Sequence, residues 1–382
     1  MTIKVLKKPL ALFNMSLLIL LLFLNPLSVF AADNENDKVV DYLLPLVSNK
    51  ATSDQVSYIA TNDKGTILVK TLHGYLDITY DYGKTWQSRK LPRDANYNLQ
   101  YNNGLFYLSV SDYKGTESYY STDGVTWSSF TLRPPAEVNL EGSSLSIKDV
   151  FTVNGKWVLY GSGYYNRQSY IFTSDNGINW DYTGVIPTNK VFGLFWNGQN
   201  YSAIMLSGYM FVDKDIKNSK YRHFLGPQGS AELIVYTSPD LKKWKQISGL
   251  TPGNWYYSTG TSSSQTGIFY WYDPYSNELT STDGINFKIK KLPKALQTND
   301  YRSPIYKKGN IYYVFMNEWV STGVVHTKVL TSNDKLNWKE TKINVLNSMV
   351  VIQSGSKFIG KGTDEEGKIV ISDDGIHWKR IK

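Results

Sequence analysis

Few residues of this 382-residue chain are spaced for catalysis. The four histidines, His73, His223, His326 and His377, stand far apart and match no metal-binding spacing. Asp213-Lys214-Asp215 opens like a calcium loop, but Lys217 and Asn218 follow where an oxygen ligand and a glycine belong. Asp364-Glu365-Glu366-Gly367 reads as a solvated hairpin tip. With no cysteine there is no thiol nucleophile and no disulfide; a Gly-rich phosphate loop and a Gly-x-Ser-x-Gly elbow are also missing. No metal and no other cofactor is expected. Carboxylates such as Glu117, Glu137, Asp149 and Glu318 are available, and tyrosine is plentiful, but no spacing selects a pair. The stretch from Ser207 to Ser230 gathers Tyr209, Tyr221, Arg222, His223 and Phe224. Rings beside a guanidinium suit a sugar face or a protein partner, which makes Tyr221 and Arg222 candidate ligand contacts.

Any site must be held by the elements around it, and these are repeats. One seven-residue frame recurs seven times: Ser, any residue, Asp or Asn, often Gly, two variable residues, then Trp or Phe. It starts at Tyr80, Ser121, Ser174, Ser238, Ser281, Ser332 and Ser372, and closes on Trp86, Trp127, Trp180, Trp244, Phe287, Trp338 and Trp378. Asp81, Asp123, Asp175, Asp240, Asp283, Asp334 and Asp374 are read as its carboxylates. The frame makes sense as a turn in which hydroxyl and carboxylate bond backbone amides and Gly takes positive φ. A carboxylate used in this way is architectural and unavailable for chemistry. Upstream, Asn103-Gly104 and Asn154-Gly155 precede aromatic and β-branched runs, a strong hairpin signal. Closing aromatics lie 41, 53, 64, 43, 51 and 40 residues apart, the length of a four-stranded sheet plus loops.

The first 31 residues carry Lys4, Lys7 and Lys8, an apolar run centred on Leu17 to Leu24, and a small-residue end at Ala31-Ala32, the layout of a cleavable export signal. Residues 32–50 are expected to be a polar leader, with Val39 to Val47 as a possible closing strand, and 51–382 the repeat domain. After cleavage no apolar stretch approaches spanning length. Removing the three signal lysines leaves 38 basic against 33 acidic residues, a mild excess compatible with weak attraction to an anionic wall or glycan. Lys and Arg look scattered rather than striped, which argues against nucleic acid.

Thr79-Tyr80-Asp81-Tyr82-Gly83-Lys84-Thr85-Trp86 and Thr173-Ser174-Asp175-Asn176-Gly177-Ile178-Asn179-Trp180 resemble the Asp-box, or bacterial neuraminidase repeat, and the other five frames are looser variants. Tyr80, Pro239, Leu241, Lys335 and Phe287 depart from it, so the fourth repeat is expected to be the least regular. The resemblance implies an all-β fold, a seven-bladed β-propeller with one Asp-box turn per blade, the box lying between the third and fourth strands. Ser128 to Leu132 and Lys379 to Lys382 would then be outer strands. It implies no single activity, since such propellers include glycosidases and binding proteins.

Tyr301-Arg302-Ser303-Pro304-Ile305, followed by Glu318, resembles the Arg-Ile-Pro segment of sialidases. There the Arg helps clamp a substrate carboxylate, a task suited to a guanidinium fork. Arg302 and Glu318 become catalytic candidates, Tyr301 a ligand contact, and Arg167 and Arg222 the possible partner arginines. Ser238-Pro239-Asp240-Leu241-Lys242-Lys243-Trp244 resembles a turn of furanosidase-type glycosidases, which use paired carboxylates. The expectation is a secreted, non-catalytic propeller that binds a glycan or a cell-surface protein. A sialidase-like exo-glycosidase and a cell-envelope assembly component are the alternatives.

Overall fold

The computed structural model describes residues 41–382 apart from 54, 96, 113–114, 139–144, 164–167, 187–190, 192, 208–231, 248–261, 264–267, 273–276, 287, 298–301, 322–323, 344–348 and 363–367. The expected export signal and residues 32–40 of the leader therefore lie outside the described residues, as do Tyr221, Arg222, Tyr301, Phe287 and Arg167.

The described strands form seven antiparallel sheets, here I to VII in chain order. Short runs of aromatic and β-branched residues, buried on both faces in the inner strands, and tight hairpins produce the repeat. Sheet II, for example, runs Asn98–Asn102, Leu105–Asp112, Gly115–Ser121 and Thr126–Ser129. At its first hairpin Asn103 and Gly104 both adopt the positive φ that such a turn requires. Sheet I (Val56–Thr61 to Gln87–Lys90) and sheet III (Leu145–Val153 to Asp181–Ile186) follow the same plan. So do sheets IV (Gly193–Trp196 to Lys245–Ile247), V (Ser262–Ser263 to Lys288–Lys291), VI (Tyr306–Lys308 to Lys339–Lys342) and VII (Met349–Ser354 to Trp378–Arg380).

Each sheet meets the next in the chain. Leu68 and Ile78 of sheet I share a buried cluster with Phe106 and Trp127 of sheet II. Tyr107 of sheet II packs edge-on to Trp157 of sheet III. Ile171 of sheet III lies with Ala203 of sheet IV. The Asn197 amide of sheet IV donates to Asp283 O of sheet V at 2.7 Å. Leu292 and Leu296 after sheet V pack on Val314 of sheet VI, and Phe315 of sheet VI meets Phe358 of sheet VII. Sheet VII returns to sheet I: Ile359 and Ile369 share a cluster with Ile67 and Val69.

The return contact extends to the last two residues. Lys382 Nζ lies 3.1 Å from Asp77 Oδ2 and donates to Thr52 O at 2.7 Å, and the Lys382 and Asp77 side chains are buried. Thr52 also donates its N–H and its hydroxyl to Asp77 Oδ2, at 3.1 and 3.0 Å. Trp86 Nε1 donates to Ile381 O at 2.9 Å.

The expected closing strand takes a different place. Sheet VII draws its four strands from residues 349–380, while Asp41–Leu43 pairs with the outer strand of sheet II and Leu46–Ser48 with that of sheet I. Leu44 between them is buried, and its carbonyl accepts from Arg89 Nη1 at 2.6 Å.

Candidate functional site

The box turns fall between third and fourth strands. In sheet II the Ser121 hydroxyl donates to Asp123 Oδ1 at 3.0 Å and accepts from the Asp123 and Gly124 amides. Asp123 Oδ1 accepts from the Val125 and Thr126 amides at 2.7 and 2.8 Å, and Trp127 Nε1 closes the turn on Gly124 O. The same Asp-centred pattern holds Asp240, Asp283, Asp334 and Asp374. Trp244, Trp338 and Trp378 close on Leu241, Lys335 and Gly375.

Leu241 and Lys335 occupy the glycine position at φ 64° and 62°. Non-glycine residues enter this region at a cost of about 1–2 kcal/mol, which the turn bonds offset. The fourth box thus keeps its geometry despite Pro239 and Leu241.

Two box assignments need correction. At Ser174–Trp180 the accepting oxygen belongs to Asn176, not Asp175: Asn176 Oδ1 takes the Ile178 and Asn179 amides at 2.9 and 3.0 Å, while Asp175 is exposed. The turn needs an acceptor and no charge, so an amide serves. The first box starts at Thr79 rather than Tyr80 and is one residue longer; Thr79 Oγ1 donates to Asp81 Oδ1 at 2.7 Å and Tyr82 takes the extra place at φ 57°. Trp180 differs again. Tyr107 OH donates to Gly177 O at 2.8 Å, taking the acceptor that the box tryptophan uses elsewhere, and Trp180 packs edge-on to the Tyr107 ring.

Burial pushes the Asp81 carboxyl up, but bonds from Thr85, Thr79 and the Lys84 amide overcome this and hold it at about 2. Asp283 is likewise held at about 2, its burial outweighed by the Asn286 and Ile285 amides, the Asn286 side chain and Ser281. These carboxylates are ionised, fully engaged acceptors and have no proton to give at neutral pH.

Arg302 is 3% exposed. Its backbone bridges Met316, and Nη1 donates to Leu296 O at 3.1 Å. Ser303 locks the strand by accepting the Phe315 amide on its hydroxyl and donating its own N–H to Phe315 O. Glu318, further along the Ile311–Ser321 strand, points to solvent and lies 3.3 Å from Lys328 Nζ, which also meets Glu340 at 3.1 Å. Arg302 therefore faces the protein interior and Glu318 the exterior.

A cluster that no sequence spacing selected forms at the start of sheet II. Glu117 Oε2 accepts from Tyr97 OH at 2.7 Å and from Tyr119 OH at 3.2 Å, and Glu117 Oε1 lies 3.0 Å from Arg93 Nε. Tyr97 is buried. Burial, reinforced by Glu117, drives the Tyr97 phenol well above its ordinary value and Tyr119 up to about 12. Both phenols stay protonated at neutral pH, and the cluster ties the linker between sheets I and II to the third strand of sheet II. The i, i+2 spacing of Glu117 and Tyr119 on one strand face is its only trace in the sequence. Among the described residues no group of three or more His, Asp or Glu side chains converges to hold a metal ion, and no helix is long and apolar enough to cross a membrane.

No protein-family model matches the sequence, and no curated protein matches it. Solved structures do. The tricorn protease aligns over 92% of this chain and 36% of its own, at 12% identity and a TM-score of 0.50. YCF48 bound to D1 peptide aligns over 87% and 96%, at 15% identity and 0.49. The beta-propeller domain of the Trilobed protease from Pyrococcus furiosus, described as having an open velcro topology, aligns over 86% and 97%, at 8% and 0.47. The likeness is one of fold. At these identities it carries no activity and no ligand across.

Proposed function

We propose that this chain is an exported seven-bladed β-propeller of the Asp-box type that works by binding a glycan or a cell-surface protein rather than by catalysis. Seven sheets in cyclic contact, six of them with the box turn described in full, support the blade count. The layout of residues 1–31, three lysines, an apolar run and a small-residue end, is that of an export signal and supports action outside the cell.

The observation that carries the binding reading is the engagement of the candidate catalytic groups. The box carboxylates spend their oxygens on their own turns, and the candidate clamp Arg302 is buried against the Leu296 carbonyl. A guanidinium that receives a substrate carboxylate presents its fork to a cleft, whereas the Arg302 side chain is 3% exposed and places Nη1 on the Leu296 carbonyl. Calorimetric titration of the purified protein against a panel of neutral, sialylated and uronic glycans and cell-surface protein fractions tests this. Saturable binding that leaves the ligand intact is expected; release of free sugar without stoichiometric retention would overturn it.

A further inference from the structure

The basic residues that look scattered along the sequence are gathered by the repeat. The outer strands of sheets IV to VII are Lys245–Ile247, Lys288–Lys291, Lys339–Lys342 and Trp378–Arg380. Together they hold eight basic residues and one acid, Glu340. Lys245, Lys288, Lys290, Lys291, Lys339 and Lys379, with Arg380, are exposed. Glu340 is engaged by Lys328, and Glu278 stands opposite Lys290 in register. The other three sheets differ. Their outer strands are Gln87–Lys90, Thr126–Ser129 and Asp181–Ile186, and the first two are covered by the added strands Leu46–Ser48 and Asp41–Leu43. Among the described residues, one run of consecutive sheets thus has basic outer edges with no further strand paired to them.

We propose that the outer edges of sheets IV to VII form one binding surface for a linear polyanion of the cell envelope, a flexible sugar or polyol chain bearing phosphate diester or carboxylate groups. The inference rests on the binding reading above and names its ligand class. Flexible lysines on separate strands offer point charges without a bidentate fork, which suits repeated, loosely placed anions over one shaped ligand. Release of counterions from the polymer supplies the driving force and makes it salt-dependent. Single-stranded nucleic acid is disfavoured because it needs exposed rings for base stacking, and none of the exposed large aromatic side chains of the described residues lies on these strands.

The test uses fluorescently labelled poly(glycerol phosphate) and polygalacturonate as probes, which separate the phosphate from the carboxylate source, with duplex and single-stranded DNA as a third arm. Purified protein is compared with the variant Lys288→Gln, Lys290→Gln, Lys291→Gln, Lys339→Gln. The expected result is saturable binding to at least one envelope probe that weakens as salt rises, with about tenfold loss in the variant and an unchanged melting temperature. Lys84→Gln, at the box of sheet I, should leave affinity unchanged. No binding to either probe at low salt, equal affinity in the fourfold variant, or DNA binding as tight as the envelope probes would each overturn the proposal. A variant that self-associates yet binds as before would assign these lysines to blocking edge pairing alone, and would also overturn it. If both probes fail while another ligand is retained intact, this inference falls and the binding reading stands; sugar turnover brings down the binding reading itself.

Discussion

Replacing Lys382 with Met removes the ammonium group that ties the last sheet to the first while keeping a long apolar stem. Asp77 then remains buried with only the Thr52 N–H and hydroxyl on its Oδ2, and Thr52 O loses its partner. Taking one member from a buried ion pair costs about 3–5 kcal/mol, because the remaining charge is left uncompensated. For a unit of roughly 340 residues the unfolding entropy is about 0.7 kcal/mol per degree, so the melting temperature should fall by about 4–7 °C. Differential scanning calorimetry at pH 7 measures the shift, and Lys382→Met combined with Asp77→Leu isolates the pair. The double variant should lose less than the sum of the single losses by at least about 1 kcal/mol, since removing both charges leaves neither member of the pair buried opposite a neutral side chain. A shift below about 1 °C in Lys382→Met would refute the closure argument, because surface substitutions already reach that size.

Other consequences follow from the same contacts. Trp86→Phe should cost about 1 kcal/mol by losing its bond to Ile381 O, and urea midpoints at constant slope would report it. Burial pushes the Asp149 carboxyl up to about 6, opposed by the Val150 amide. Its folded pKa is above the unfolded one, so the penalty grows as pH rises from about 4 through 6; Asp149→Asn should therefore stabilise the protein at pH 7, by at most about 3 kcal/mol, and give no such gain at pH 4. Asp81 and Asp283 have folded values of about 2, below the unfolded range. The stability they contribute is present above about pH 4 and lost as pH falls toward 2, which acid titration followed by near-UV circular dichroism would show.

The turns were legible because each box is local. Ser121, Asp123 and Trp127 satisfy one another within seven residues, so type and spacing specify the geometry. The slips at Asp175 and Tyr80 arose where two neighbouring residues competed for one role, Asp175 with Asn176 and Tyr80 with Thr79; only the bonding chooses between them. Closure was not legible. Asp77 and Lys382 are 305 positions apart and nothing local marks either as a partner. The sialidase-like segment around Arg302 carried the right residue type, but burial against Leu296 is a tertiary fact. The basic edge strands were hidden for the opposite reason: residues in separate repeats look dispersed until the sheets bring equivalent positions together.

The claim that these groups are architecture rather than catalytic machinery is tested most directly by turnover on a panel of fluorogenic glycosides, sialosides included, with Arg302→Ala alongside. No release of fluorophore above the buffer rate is the expected result, with Arg302→Ala showing only a lowered melting temperature. Turnover that Arg302→Ala abolishes while the variant remains folded would contradict the account and make Arg302 part of an active site.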